Sequence, residues 1–393
     1  MIKFETGKDF DFSFPISLKV WENYVNEVGD NVDKFQDSIL RFATGNAEGG
    51  SEELNEELKI QLTTFEIETI EVKNYRCNLT IRRDSAFKSF LYGLTDNYAK
   101  RRKLEEETLS LEIDSGDSAA SILQYRLELI GRILTNLLDF SKFVFVKDPS
   151  IAKHKILVTT KSNLPKIDDR SDRKLLTCGA VLDHAEKKLS KSSSVDYIKK
   201  RSKDMHLISI HKYGGRFKND EAFSELIERL GENAVTLELL EVKQSSPMTL
   251  NPDPKQAFIL YNSARLETLL KNFDLKVSEG YYQETPELDD IDTSLLKEEE
   301  EWNLLKLLLT FPEVIDLAID DLSSGKVSLH LIHKFISALG NSFSIYYRRT
   351  RLLTENRSQL MPTMHAKIHF LRAVRRIFNE ALGTFCIQPV AFM

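Results

Sequence analysis

The apolar positions of the first 250 residues change repeatedly between a period of two and a period near 3.6. A period of two over four to eight residues is typical of a half-buried strand, and a longer stripe with the second period is typical of a helix. These criteria predict strands at 65–72, 77–81, 109–113, 143–146, 175–182 and 205–210. They predict helices near 16–28, at 118–140 and at 221–230, and a glycine loop at 45–50. A strand, a helix and a strand in succession indicate a βαβ unit with a small, mainly parallel sheet.

Beyond residue 255 the pattern is helical throughout. The preceding segment, 244–255, contains three prolines among polar residues, which favours a domain boundary. Helices are predicted at 256–271, 298–310, 311–319, 328–353 and 362–382, and Gly383 stands where the last of them is expected to end. We therefore expect an N-terminal α/β region at 1–95, an α/β domain at 96–250 and a helical bundle at 251–393.

Charge is distributed unevenly along the chain. The net charge is −6, but residues 281–321 hold thirteen Asp or Glu and two Lys, whereas residues 341–393 hold eight Lys or Arg and two Glu. A basic block on an acidic chain suggests a local surface for a polyanion, because phosphate binding needs clustered positive charge. A solvated helix face that balances the acidic block is the alternative.

Other compositional features exclude several classes of protein. Three widely spaced cysteines argue against a disulfide framework or a zinc site. No apolar run approaches the roughly 20 residues of a membrane span and no signal peptide is apparent, so we expect a cytoplasmic protein. The pairs His330 and His333, and His365 and His369, have no third ligand at metal-binding spacing, and no metal site is predicted. No phosphate-cradling glycine loop occurs, and no cofactor is predicted.

The last predicted helix has an apolar face and an opposite polar face. One helical stripe on the polar face contains His365, His369, Arg372, Arg376 and Asn379. Such a stripe can contact phosphates while the apolar face is buried in the bundle.

Upstream of that helix, the segment FSIYYRRTRLL (343–353) interleaves tyrosines with arginines. Aromatic rings offer stacking surfaces for unpaired bases, and guanidinium groups offer contacts to phosphates and base edges. The segment therefore predicts recognition of a single-stranded RNA loop.

Four C-terminal segments resemble, in order, the DALR anticodon-binding domain of arginyl-tRNA synthetases. They are FILYNSARLETLL (258–270), FPEVIDLAIDDL (311–322), the segment 343–353 and FLRAVRRIFNEALGTFCIQPVAFM (370–393). Ser344 departs from the family, which usually has Asn there. The resemblance implies tRNA binding near the anticodon, with Tyr347 beside the anticodon loop. The expected RNA-binding residues are Tyr261, Arg265, Tyr346, Tyr347, Arg348, Arg349, Arg351, His365, His369, Arg372, Arg376 and Met393.

The segment 109–134 is similar to the first strand, loop and helix of class I synthetases. In that family a His-x-Gly-His signature opens the helix and holds the ATP phosphates. Alignment on Arg126 and Gly131 puts Ser121, Leu123 and Gln124 in the signature's positions, so both histidines and the glycine are replaced. Loss of such electrostatic groups typically costs orders of magnitude in rate. The lysine loop KLSKS (188–192) resembles the second class I element, and we interpret it as a retained scaffold loop rather than an ATP site.

The combination resembles the family of DALR anticodon-binding domain-containing protein 3, shortened relatives of arginyl-tRNA synthetases. The resemblance implies a degenerate class I synthetase-like (Rossmann-like) α/β body followed by a DALR-type helical bundle. It also implies a non-catalytic adaptor that binds arginine tRNAs and presents them to a tRNA 3-methylcytidine methyltransferase. A divergent arginyl-tRNA synthetase and a protein scaffold that uses the bundle for packing alone are the alternatives.

Overall fold

The structure, a computed structural model, describes a large part of the chain in two compact units. Unit 1 comprises Met1–Thr95, Thr285–Leu309 and Leu352–Phe370, and unit 2 comprises Asp96–Glu284, Thr310–Arg351 and Leu371–Met393. The three consecutive regions expected at 1–95, 96–250 and 251–393 stay a prediction. The described residues are 3–4, 11–21, 32–48, 50, 53–54, 56–57, 66–94, 98–99, 106–114, 121–160, 163–164, 172–213 and 221–389.

In the described part of the chain, the strands form three sheets. Their bounds are β1 (Lys3–Phe4), β2 (Phe12–Pro15), β3 (Ile67–Lys73), β4 (Arg76–Ile81), β5 (Glu107–Ile113), β6 (Phe143–Phe145), β7 (His154–Thr160), β8 (Lys174–Cys178), β9 (Val181–Leu182) and β10 (Met248–Thr249).

The α-helices are concentrated in the second half of the chain. Their bounds are α1 (Ile39–Thr44), α2 (Arg83–Gly93), α3 (Ile122–Leu137), α4 (Ser194–Tyr213), α5 (Glu221–Leu239), α6 (Ala257–Ser278), α7 (Glu299–Leu309), α8 (Phe311–Ile319), α9 (His330–Arg349) and α10 (Met361–Thr384). Among the residues that the structure describes, no helix is long and apolar enough to cross a membrane.

Unit 1 contains an antiparallel sheet in the order β1-β2-β4-β3. β3 and β4 form a hairpin whose turn residues, Asn74 and Tyr75, have φ angles of 52° and 58°. Two consecutive residues in the left-handed region give the tight turn that matches the twist of paired strands. The strands predicted at 65–72 and 77–81 are confirmed.

The core of unit 1 is aromatic. Phe87 packs edge to face on Phe370, with ring centroids 5.1 Å apart, and lies 5.9 Å from the ring of Trp302. Trp302 is 1% exposed and its indole Nε1 donates a hydrogen bond of 2.7 Å to Asp11 Oδ1. The donor of this large buried ring is therefore satisfied, as burial of an indole requires.

Unit 2 contains a four-stranded parallel sheet in the order β6-β5-β7-β8. β5, α3 and β6 form the βαβ unit predicted from the sequence, with β5 and β6 as parallel neighbours. Ser121 caps the N-terminus of α3, because its Oγ accepts a hydrogen bond from the backbone N–H of Gln124. The helix therefore starts later than the expected residue 118.

Two strands of unit 2 have no counterpart in the sequence prediction. β7 lies between β5 and β8, and its residues 156–160 are all buried. β10 lies inside the segment 244–255 and pairs in parallel with β9, so this segment is partly structured rather than only a linker.

The segment 205–210 was expected to be a strand, and this prediction is wrong. It lies in the middle of α4, which packs against α5 as a helical hairpin. Of the four apolar residues of MHLISI, Met205 is fully buried and Leu207 is exposed, and a short apolar run does not by itself distinguish a strand from a helix.

A buried ionic network joins α4, α5 and the segment that follows them. Arg201 is 1% exposed and Glu238 is 2% exposed, and Arg201 Nη2 lies 3.0 Å from Glu238 Oε2. Tyr197 donates its hydroxyl to Glu238 Oε1 at 2.8 Å. Arg201 Nη2 also donates to the carbonyl of Asn251 at 2.6 Å, and the N–H of Asn251 donates to Glu238 Oε1 at 2.6 Å. The network satisfies both buried charges and fixes the chain that leads into α6.

Several predicted helices differ from the structure in extent. α5 and α6 continue to Leu239 and Ser278, beyond the predicted ends at 230 and 271. Near 16–28, the described residues contain a 3-10 turn at Leu18–Trp21, and residues 22–28 lie outside the described part. α10 continues through Gly383 to Thr384, and the left-handed residue beyond it is Cys386, with φ of 60°. The expectation that the last helix ends at Gly383 is therefore wrong.

Candidate nucleic-acid interface

Two tyrosine rings and one guanidinium group lie together on the surface of unit 2. Tyr261 and Arg265 are one turn apart on α6, and Tyr347 lies near the end of α9. The guanidinium carbon of Arg265 lies 4.3 Å from the ring centroid of Tyr261 and 4.6 Å from that of Tyr347. Arg265 Nη2 also donates a hydrogen bond to the Tyr261 hydroxyl. These three side chains, called here the tyrosine–arginine cluster, combine aromatic faces with a fixed positive charge.

Neighbouring aromatic residues of α9 have opposite environments. Tyr347 is 38% exposed, whereas Phe343 and Tyr346 are fully buried. Phe343 supports Tyr347 from the preceding turn, with ring centroids 6.0 Å apart. Tyr346 was expected to contact RNA, and its burial makes that expectation wrong for direct contact by its ring.

Three exposed arginines follow the cluster along the chain. Arg348 and Arg349 complete the last turn of α9, and Arg351 lies two residues after the helix ends. Arg348 Nε donates to the carbonyl of Ser344 one turn earlier, at 3.2 Å. Positive side chains at a helix C-terminus are favoured by the helix dipole, so this region keeps an exposed basic surface beside an exposed ring.

The polar stripe of α10 is not the open face that the sequence suggested. His365 is 4% exposed, and His369 Nε2 is 2.9 Å from the carbonyl oxygen of Pro286. Arg372 Nη2 donates to Asp274 Oδ1 at 3.0 Å, and Asn379 Nδ2 donates to Glu267 Oε1 at 2.9 Å. The helix therefore has neighbours on its polar side as well as on its apolar side. Only Arg372 and Arg376, which are half-buried, keep part of their charge accessible.

Replacing both Arg372 and Arg376 with Gln is expected to weaken tRNA binding and to leave the fold intact. Gln is preferable to Glu, because a carboxylate at position 372 would face Asp274. Each lost phosphate contact should lower the slope of log K against log salt by about one. Titrations at several salt concentrations measure this slope. An unchanged affinity and slope, in a variant with the normal melting temperature, would remove these arginines from the RNA-binding surface.

Phe258 belongs to the same face of α6 and was missed in the sequence. Its ring is 44% exposed, and it precedes Tyr261 by three residues and Arg265 by seven, which is the spacing of one helical stripe. That spacing, in a segment already matched to the anticodon-binding domain, was the available signal. Met393, the remaining predicted residue, lies outside the described part of the chain.

The residues in the synthetase signature positions make structural contacts. Ser121 caps α3, and Gln124 Nε2 donates to the carbonyl of Asp114 at 3.3 Å. Arg126 is fully buried and donates to the carbonyls of Gly179 and Leu239 at 2.9 and 3.1 Å. These side chains hold the start of α3 in place, and residues 115–120 before it lie outside the described part.

A tight turn at residues 183–188 leads from β9 into the lysine loop. The N–H of Asp183 donates to the carbonyl of Lys188 at 2.8 Å, and Lys187 has a φ of 55°. Lys188 pairs with Glu186 at 3.4 Å, and both side chains are largely exposed.

The histidines considered as metal ligands have other surroundings. His333 Nε2 lies 3.2 Å from Gln256 Oε1, and burial together with the nearby His330 lowers the pKa of His333 to about 4. Within the described ranges, no group of three His, Cys, Asp or Glu side chains is arranged to hold a metal ion.

Comparison with known proteins identifies the C-terminal region. The family model of the DALR anticodon binding domain matches residues 259–393, which include the whole tyrosine–arginine cluster. The chain is 29% identical over 235 residues to DALR anticodon-binding domain-containing protein 3 of Danio rerio, covering 56% of this chain and 41% of that protein. It is 29% identical over 242 residues to the protein of the same name in Mus musculus, covering 58% of this chain and 44% of that protein. The chain thus spans less than half the length of these relatives, and the resemblance found in the sequence is confirmed.

A solved structure extends the likeness to almost the whole chain. Arginyl-tRNA synthetase of Thermus thermophilus superposes with a TM-score of 0.68 and 9% identity, over 99% of this chain and 95% of that chain. At this identity the likeness concerns the fold. The predicted fold class, a synthetase-like α/β body followed by a DALR-type helical bundle, is confirmed.

Proposed function

We propose that this chain is a non-catalytic, cytoplasmic tRNA-binding protein that recognises arginine tRNAs through the anticodon region. The observation that carries the proposal is the tyrosine–arginine cluster within the segment matched by the anticodon-binding family model. An unpaired base has a flat face that stacks on an exposed tyrosine ring, and a neighbouring guanidinium favours a negatively charged strand.

The cluster suits a loop better than a duplex. Its two rings belong to different helices and both lie within 4.6 Å of the Arg265 guanidinium carbon, so a base must be unstacked to reach them. The anticodon loop presents such bases at a fixed distance from the phosphates of its stem. The exposed Arg348, Arg349 and Arg351 are suited to those phosphates.

Presentation of the bound tRNA to a 3-methylcytidine methyltransferase is part of the proposal and rests on the sequence resemblance. A protein that holds the anticodon region without acting on it needs a second protein for any chemistry there. We therefore propose an adaptor, with arginine tRNAs and the methyltransferase as its partners.

The non-catalytic part of the proposal rests on the start of α3. Ser121 and Gln124 supply a hydroxyl and an amide, and neither is a cation that could stabilise the charge of a transferred phosphate. A divergent arginyl-tRNA synthetase would need other groups for this role.

One experiment tests both parts on the purified chain. We expect an arginine tRNA to bind more tightly than a tRNA whose anticodon stem-loop has been exchanged, with an affinity that falls steeply as salt rises. The same preparation should exchange no pyrophosphate with ATP in the presence of arginine and tRNA, while an active arginyl-tRNA synthetase run in parallel does. Equal binding of both tRNAs would contradict anticodon recognition, and arginine-dependent exchange above the blank would favour the synthetase.

A further inference from the structure

The α4–α5 hairpin has a long groove on its outer surface, within unit 2 and separate from the tyrosine–arginine cluster in sequence. Its volume is about 1040 Å³, and every lining residue belongs to one of these two helices. Val195 and Leu207 lie toward its two ends and are 53% and 59% exposed. They are twelve positions apart along α4, which corresponds to about 18 Å. Large exposed aliphatic side chains along one groove are typical of a protein contact surface.

The two walls of the groove carry opposite charges. The α4 wall contains Lys199, Lys203 and His206. The α5 wall contains Glu225, Glu228 and Glu232, with Arg229 as its one basic residue. In the described part of the chain, Lys199, Lys203, Glu225 and Glu228 make no ion pair or side-chain hydrogen bond. The charges are therefore available to an external partner.

The opposite charges of the two walls favour a protein partner over an RNA strand. An RNA strand would be attracted by the α4 wall and repelled by the three carboxylates of the α5 wall. A protein surface with one basic and one acidic side matches both walls and can cover the aliphatic residues between them. The hairpin itself has that pattern.

Three close approaches between α4 and α5 show which residues of the two helices lie at the same level along the hairpin. Tyr197 bonds to Glu238, and the ring of His206 lies 5.8 Å from that of Phe223. Between them, a Cβ atom added at Gly231 would lie 2.2 Å from Ser202 Oγ, so the two helices approach each other closely at these residues. The pairing runs in opposite directions along the two helices, and the level of Lys203 is therefore that of residue 230, between Glu228 and Glu232.

We propose that the groove is the interface of a homodimer, in which two copies pack their α4–α5 hairpins face to face about a two-fold axis parallel to the groove. This axis places α4 of one copy on α5 of the other at the same level along the groove. Lys203 then faces Glu228 of the second copy. Glu232, whose carboxylate also accepts a hydrogen bond of 3.1 Å from the Tyr125 hydroxyl of its own chain, lies one turn further along the same wall, between the levels of Lys203 and Lys199. A two-fold axis across the groove would instead place α4 on α4, lysine against lysine. The interface is isologous, and each contact occurs twice.

The charge pattern allows a test by charge reversal and mixing. Lys203→Glu and Glu228→Lys are each expected to weaken self-association of the chain by about tenfold, because each creates two like-charged contacts by symmetry. An equimolar mixture of the two variants should recover dimerisation. In the mixed dimer, the carboxylate introduced at position 203 of one chain faces the ammonium introduced at position 228 of the other, and the second contact keeps its original pair. Sedimentation velocity at low salt, over a wide range of protein concentrations, measures the self-association of each variant and of their mixture.

Two further variants separate the interface from the fold. Leu207→Ser removes an exposed side chain, so it should weaken self-association and leave the melting temperature of the diluted chain unchanged. Lys271→Glu changes an exposed lysine of α6 and should have no effect on either. A wild-type chain that stays monomeric throughout would overturn the proposal and leave the groove to a different protein. A dimer that is insensitive to both charge reversals, or whose mixture shows no recovery, would also overturn it.

Discussion

Replacement of Arg201 with Met is expected to lower the free energy of unfolding of unit 2 by about 3–5 kcal/mol. Glu238 would keep its hydrogen bonds from Tyr197 and Asn251. Its side chain is only 2% exposed, however, so its negative charge would remain buried without the positive charge of Arg201 beside it. The carbonyl of Asn251 would also lose its 2.6 Å hydrogen bond from Arg201 and keep only the longer contact, 3.4 Å, to the Tyr197 hydroxyl. A buried charge left without its partner costs much more than the pair contributes, because the desolvation has already taken place.

The measurement needs a probe within unit 2, since both tryptophans, Trp21 and Trp302, belong to unit 1. Hydrogen exchange followed by mass spectrometry of peptides from α4 and α5 reports this unit directly. Lys271→Met is the control, because Lys271 is exposed on α6 and does not line the groove, and a change within about 0.5 kcal/mol is expected there.

A second variant identifies the cause of the loss. Adding Glu238→Gln to Arg201→Met removes the uncompensated charge and keeps a group that can accept the same hydrogen bonds. The double variant should therefore be more stable than Arg201→Met alone. If the single and the double variant lose the same free energy of unfolding, the contribution of Arg201 comes from its packing and hydrogen bonds rather than from its charge pairing with Glu238.

Replacement of Tyr347 with Ala is expected to weaken binding of an arginine-tRNA anticodon stem-loop by about five- to 150-fold, the effect of one lost stacked base. The ring is 38% exposed and supported by Arg265 and Phe343, so its removal should change the melting temperature little. Tyr347→Phe keeps the aromatic face and should bind almost normally. Fluorescence anisotropy with a labelled stem-loop gives the affinities.

The adjacent residue provides the matched control. Tyr346 is fully buried, so Tyr346→Ala should cost about 3–5 kcal/mol of stability, and molecules that remain folded should bind RNA with little loss. A large drop in melting temperature for Tyr347→Ala with unchanged affinity per folded molecule would assign Tyr347 to the core. Both residues are tyrosines, so a difference between the two variants reports whether the ring packs in the core or contacts RNA, and not the type of side chain removed.

Several parts of the site could be predicted because they depend on neighbours along the chain. Tyr261 and Arg265 are one helical turn apart, and FSIYYRRTRLL places rings beside arginines whatever the surrounding fold. Periodicity could not decide between Tyr346 and Tyr347, because two consecutive residues differ by only 100° around a helix and both border the apolar face. In the structure, Tyr347 is the exposed ring of the two, and it lies against Arg265, which belongs to another helix.

The polar stripe of α10 shows the limit of such periodicity more clearly. The angular positions of His365, His369, Arg372 and Asn379 were as expected, but a polar face need not be a solvated face. The carboxylates of Asp274 and Glu267 on α6 meet two members of the stripe, and no pattern within α10 records the presence of those partners.

By itself, the sequence predicted the succession of a βαβ unit and a helical C-terminus, the presence of every described α-helix from α5 onward and the resemblance to an anticodon-binding domain. Each of these depends on short-range spacing or on matched segments, whereas α1, α2 and α4 were not predicted as helices. Only the tertiary structure placed β7 inside the parallel sheet, turned 205–210 into a helix and paired Arg201 with Glu238. The physical reason is the same for the strand, the helix and the ion pair. Burial and pairing depend on groups that are distant along the chain, and a short apolar run or a single charged residue can be buried or paired in several ways.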